Sequence, residues 1–243
     1  MMRSENTAEY FDRIAAAFSA NYRGSAAFLE RQQVWQRAVE RNLPRSVNHP
    51  LCLDLGCGDG SLSRFLAKRG IKTVGIDQSK EMLAIARQKA VEHGIDGYAE
   101  YIRAALPLSG DLEGKYLNSA QVILCSSVLE YLVNPEDVLR QVARLLAPGG
   151  TFLISFPNRF SFYRICEGAF RGALRFTNSY VRHQRHPLTL LYVREVLNRV
   201  GLTVIDETHF ALPFQRYTGL LFGSHRGRRV ATMVLLVAKK RQE

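Results

Sequence analysis

Apolar residues recur at two different spacings along the chain, and the spacing changes near Pro50. Before that point Tyr10, Phe11, Ile14, Phe18 and Tyr22 fall on one helical face, which predicts an amphipathic helix over 7–22. A second helix is predicted over 26–43, stopped by Pro44. After Pro50, short apolar runs alternate with amphipathic stretches. The runs predict strands at 51–56, 72–77, 98–104, 121–127, 151–156, 202–210 and 230–240. The intervening stretches predict helices at 61–70, 80–94, 135–150 and 188–201, with Gly70, Gly94 and the Gly149-Gly150 pair at three of their ends. Alternating strand and helix implies an α/β fold: a doubly wound, mostly parallel seven-stranded sheet with helices on both faces. Ligands in such sheets bind beyond the carboxyl ends of the strands, so the first strand-to-helix loop is where chemistry is expected.

The length of 243 residues suits one domain over 1–243, with 1–44 as an N-terminal helical cap and 157–187 as an insertion after strand five. Hydrophobic residues at 47% supply a core, and charged residues at 23% are too few for wholesale disorder. No apolar run is long enough to span a bilayer, and Arg3, Glu5, Glu9, Asp12 and Arg13 interrupt any secretory signal. Cys52, Cys57, Cys125 and Cys166 show neither CxxC pairing nor metal spacing. Cys52 and Cys125 sit in apolar runs and read as buried thiols of a reducing compartment, so a cytoplasmic location is expected. The net charge of +11 points to an anionic partner without identifying it.

The first strand-to-helix loop reads Asp54-Leu55-Gly56-Cys57-Gly58-Asp59-Gly60. Alternating glycines let the backbone turn sharply and let a ligand lie against it. Strand two ends in Asp77, placed to accept both hydroxyls of a ribose. A dinucleotide sets its pyrophosphate on the following helix N-terminus, where side-chain anions are unwelcome. Asp54 and Asp59 would repel it, but suit a ligand carrying an ammonium and a sulfonium. Asp59 is also a candidate N-cap of the following helix.

Residues 51–60 resemble motif I of class I methyltransferases, which use S-adenosylmethionine. Asp77 resembles the acid closing their second strand, and 126–150, SSVLEYLVNPEDVLRQVARLLAPGG, resembles their stretch from strand four to strand five. Among them the chain is most similar to the small-molecule group that includes the ubiquinone and menaquinone methyltransferases. The resemblance is good over 45–156 and covers the remainder in outline. It implies a Rossmann-like methyltransferase fold with an N-terminal lid. It also implies that backbone at Gly56, Cys57 and Gly58 lines the methionine moiety, with Asp54 near its amino group. Asp77 would hold the ribose, Gln78 and Met82 would lie on the adenine side, and Ser126 and Ser127 would run beside the cofactor. The chain departs from the family at three places. It has no acid in Ile102–Pro107 after strand three, it has Gln121 where an aspartate is usual, and it has Tyr131 where many relatives carry histidine after the glutamate.

The acceptor is expected above strands four and five, beneath the N-terminal aromatics and the insertion. The insertion carries Arg159, Arg164, Arg171, Arg175, Arg182 and Arg185 against the lone acid Glu167, interleaved with large apolar residues. That composition suits an anionic membrane surface or an anionic or aromatic acceptor. Nucleic acid is not favoured, because no RNA-binding module is present. An oxygen acceptor must lose a proton, and His183, His186 and Tyr131 are the candidates for receiving it, with Asn158 at the end of strand five. No metal site is expected. The sequence therefore points to methyl transfer onto a small hydrophobic or aromatic acceptor in small-molecule biosynthesis, with O-methylation favoured. An RNA or protein methyltransferase, and a non-catalytic cofactor-binding assembly partner, are the alternatives.

Overall fold

A computed structural model describes residues 7–44, 47, 49–161, 188–211 and 230–241. Two helices, α1 (Thr7–Gly24) and α2 (Ala26–Asn42), precede the sheet. The alternation then runs β1 (Leu51–Leu55), α3 (Ser61–Ala67), β2 (Lys72–Asp77), α4 (Lys80–Glu92) and β3 (Ala99–Arg103). It continues with α5 (Gly110–Tyr116), β4 (Ala120–Ser126), a 3-10 turn (Leu129–Tyr131), α6 (Pro135–Leu145) and β5 (Leu146–Pro157). The described chain ends with α7 (Leu190–Arg199), β6 (Leu202–Phe210) and β7 (Met233–Lys240).

All seven strands form one sheet in the order β3-β2-β1-β4-β5-β7-β6. The first five are parallel, and β7 runs antiparallel between β5 and β6. The expected α/β class and seven strands are therefore observed. Because β7 is reversed, its first residues lie at the same sheet edge as the carboxyl ends of its neighbours, with Met233 opposite Pro157 and Phe210.

Successive strand residues point to opposite faces, which divides the core in two. Leu53, Leu55, Ile123, Phe152 and Ile154 pack with Val138, Val142 and Val196 of α6 and α7. Cys52, Val122, Leu124 and Leu153 pack with Trp35 and Val39 of α2 and with Leu66 of α3. Gln121, where the family usually has an acid, accepts the Leu51 N–H at 2.7 Å and so ties the starts of β1 and β4 together.

Two local departures from the sequence reading have clear causes. Helix α5 has only seven residues, two of them the glycines Gly110 and Gly114, so neither propensity nor periodicity announces it. Strand β5 begins at Leu146 rather than 151, because Leu146 already pairs with Ala120 before a register shift that spans the Pro148-Gly149-Gly150 turn.

Candidate functional site

A cavity of about 450 Å³ opens at the carboxyl edge of the parallel strands. Its floor is the β1–α3 turn, and its walls come from the ends of β2, β4, β5 and β6, the start of β7, and helices α1 and α2. The turn depends on glycine where it is most tightly packed. Gly56 has φ +69°, and a Cβ there would lie 2.3 Å from Val128 Cγ2. Gly60 has φ +72°, with Tyr101 Oη 2.6 Å from the same imagined atom. Gly58, also left-handed, faces open space.

Asp77 closes β2 at the rim of this turn. Its Oδ2 accepts the Gly58 N–H at 2.9 Å and its Oδ1 accepts the Ser79 N–H at 2.9 Å. Burial pushes its carboxyl above the ordinary range, against the opposing backbone N–H groups, and Asp12 adds to the rise. The two N–H groups fix the carboxylate plane and leave further lone pairs on each oxygen for a ligand. Gln78, Met82, Ala104 and Leu106 continue the wall beyond Asp77. The stretch after β3 thus adds apolar surface and no acid to the cavity.

Asp54 is 1% exposed and accepts the Ser63 hydroxyl at 2.6 Å. Burial raises its carboxyl to about 6, opposed by Ser63 and reinforced by the charges of Asp77 and Asp59. Across the cavity Arg31 of α2 donates to Ser126 Oγ at the end of β4, 2.8 Å away. An acid and a base thus both line the cavity, as a zwitterion would require. The sequence reading missed Arg31 because an arginine on an amphipathic helix looks like any solvated residue.

Asp59 does not do what the sequence suggested. It is 2% exposed and is held by Lys89 Nζ at 2.6 Å, by the Ser19 hydroxyl at 2.8 Å and by Arg64 at 3.8 Å. Its charge is compensated within the protein, so the repulsion of a pyrophosphate rests on Asp54 and Asp77 instead. It does not cap α3 either, since the N-cap is Gly60 and receives no side-chain bond. Its role is to join α1 to α3 and α4. A second bond anchors the other half of α1. Asp12 Oδ1 accepts the Ser79 hydroxyl at 2.5 Å and the Glu81 N–H at 3.2 Å, at the start of α4. Burial favours the neutral form of Asp12, but these donors with Lys80 and Arg103 outweigh it and leave the carboxyl below its ordinary value.

The α1 aromatics face the cavity as well as each other. Phe11, Phe18, Tyr22 and Phe28 form a chain of edge-to-face contacts with centroids 5.0–6.3 Å apart. Tyr131 joins it through Phe11 at 5.5 Å. Cys57, Gly58, Ser126, Ser127 and Tyr131 all line the cavity, as does Glu130. Asn158 does not, since its amide donates to the Ala231 carbonyl at 2.9 Å. His183, His186 and most of the 157–187 insertion lie outside the described residues. Among the described residues no cluster suited to a metal ion occurs, and no helix is long and apolar enough to cross a membrane.

A doubly wound sheet with a glycine turn, an acid closing β2 and a cavity at its carboxyl edge is the arrangement that nucleotide-binding α/β folds share. The chain belongs to the methyltransferase-domain family, whose model matches residues 28–211. It is 33% identical over 157 residues to the ubiquinone biosynthesis O-methyltransferase of Erwinia tasmaniensis, covering 65% of this chain and 62% of that protein. The corresponding enzyme of Aeromonas salmonicida is 38% identical over 107 residues, 44% of this chain and 43% of the relative. The chain thus spans less than two thirds of the length of these relatives. Among solved structures, magnesium protoporphyrin IX methyltransferase of Synechocystis, with bound S-adenosylhomocysteine, superposes with a TM-score of 0.71 at 19% identity, covering 96% of this chain and 97% of that one. The cyclase SpnF superposes at 0.69 with 16% identity, covering 99% and 97%. These likenesses show the fold.

Proposed function

We propose that the chain transfers the methyl group of S-adenosylmethionine to an oxygen of a small aromatic or hydrophobic acceptor. The observation that carries this reading is the match between the cavity's polar groups and the parts of that ligand. Asp77 suits the ribose diol, Asp54 the ammonium, and Arg31 with Ser126 the carboxylate. Apolar Met82, Ala104 and Leu106, with Gln78, suit the adenine. The ubiquinone biosynthesis relatives support oxygen as the accepting atom, and the aromatic lining around Phe11 and Tyr131 supports a ring-bearing acceptor. The buried free thiols Cys52 and Cys125 support a cytoplasmic location. The basic insertion is proposed to touch anionic membrane, a reading supported by its composition, and flotation with anionic liposomes at two salt concentrations tests it. Calorimetry with S-adenosylhomocysteine, followed by transfer of labelled methyl groups to a panel of substituted catechols, tests the central reading. Binding of S-adenosylhomocysteine no tighter than NAD would refute the cofactor, and an unlabelled catechol panel would refute the acceptor class.

A further inference from the structure

We infer that Glu130 is the group that receives the acceptor's proton, an inference that rests on the reading of the cavity given above. The described wall of the cavity contains the carboxylates of Asp54, Asp59, Asp77 and Glu130, and no described histidine. The three aspartates belong to β1, its following turn and β2, where they face the nucleoside and amino-acid parts of the donor or brace α1. Glu130 stands at the other end, on the 3-10 turn beyond β4, between Val128, which packs on Gly56, and Tyr131, which packs on Phe11.

The chain is bent to bring Glu130 there. Ser127 adopts φ +55°, a left-handed conformation that costs a non-glycine residue energy, and its N–H is held by the Ser155 carbonyl at 3.0 Å. The bend turns the segment back across the cavity instead of continuing along the sheet. Glu130 is 2% exposed, so it is withdrawn from bulk water, and it is one of the residues that line the cavity. A carboxylate so buried is paired or functional, and this one belongs to a residue of the cavity wall.

The step balances as a single displacement. The acceptor oxygen forms a bond to the methyl carbon, the carbon–sulfur bond breaks, and its electron pair stays on sulfur. The hydroxyl proton passes to Glu130. The positive sulfonium and the negative carboxylate become a neutral thioether and a neutral acid, and the proton leaves to solvent after product departs.

The test uses the full chain, S-adenosylmethionine and a series of ring-substituted catechols of graded acidity. Glu130→Gln should bind S-adenosylhomocysteine with wild-type affinity and lose about 10²–10⁴-fold in kcat. The loss should shrink steadily as the catechol becomes more acidic, because an acceptor already ionised needs no base; a merely structural defect would be the same for every catechol. Glu130→Asp, which keeps the carboxylate on a shorter arm, should fall between the two and show the same trend. It also decides the matter if Glu130→Gln does not fold. Variant turnover at the wild-type rate, or a loss independent of catechol acidity, would overturn the role alone. Failure of the wild type to methylate any catechol would overturn the acceptor class and this role together.

Discussion

Replacing Asp54 by asparagine should stabilise the empty protein and cripple cofactor binding. Asp54 is fully enclosed, and burial lifts its carboxyl from 3.8 to about 6. The folded value lies above the ordinary one. The group's contribution to stability is therefore complete below about 3.8 and is lost as pH rises through about 6. At pH 8 the ionised carboxylate burdens the fold by about 3 kcal/mol, the difference between those two values converted at about 1.4 kcal/mol per pH unit. Asparagine keeps an oxygen for the Ser63 hydroxyl and cannot ionise. Asp54→Asn should therefore unfold at higher denaturant than wild type at pH 8, with a gain of up to about 3 kcal/mol that vanishes on acidification towards pH 4. In the complex the sign reverses, because the ammonium partners the charge. The substitution should weaken S-adenosylhomocysteine by about 1.5–3 kcal/mol, roughly 10- to 150-fold. Wild-type affinity should itself decline as pH falls through about 6. Urea titrations at the two pH values, with calorimetry alongside, measure both halves. A destabilised variant at pH 8, or unchanged ligand affinity, would refute the reasoning.

Arg31→Gln should weaken S-adenosylhomocysteine by roughly 10- to 150-fold yet leave methylthioadenosine, which lacks the amino-acid carboxylate, unaffected in the same calorimetric assay. Lys89→Met removes the nearest cation from buried Asp59 and should cost about 1.5–3 kcal/mol of stability, with faster amide exchange in α1 by mass spectrometry. Gly56→Ala and Gly58→Ala share the left-handed penalty, but only the first drives a methyl group into Val128. Its thermal midpoint should fall further, by the equivalent of about 1–3 kcal/mol of overpacking.

The parts of this molecule that could be read from sequence are those built from local repetition. Strand Leu51–Leu55 is a nearly unbroken apolar run, as both faces of a parallel sheet demand. The glycine turn and Asp77 are legible because few residue types fulfil their backbone and hydrogen-bonding requirements. The reversal of β7 was not legible, since a buried strand has the same composition in either direction. Neither was the partnership of Asp59 with Ser19 and Lys89, which joins residues 40 and 30 positions away. The charge argument built on Asp59 failed for that reason: a carboxylate's sign is visible in sequence, but its neutralisation by a distant lysine is not. Arg31 shows the converse, an ordinary surface-type residue made special by the strand end it reaches.

Helix α1 is fastened at both halves, by Asp12 on the start of α4 and by Ser19 on Asp59, while its aromatics Phe11, Phe18 and Tyr22 form the roof of the cavity. A molecule seated on the glycine turn lies beneath that roof, and release past α1 requires a fastening to part. Departure by that route is a first-order event of the protein, timed by the unlatching of one helix. Methylated and demethylated cofactor share the same exit, so their residence times should converge even where their affinities differ. An enzyme of this construction would be throttled by its spent cofactor, and loosening α1 would quicken turnover at the expense of grip.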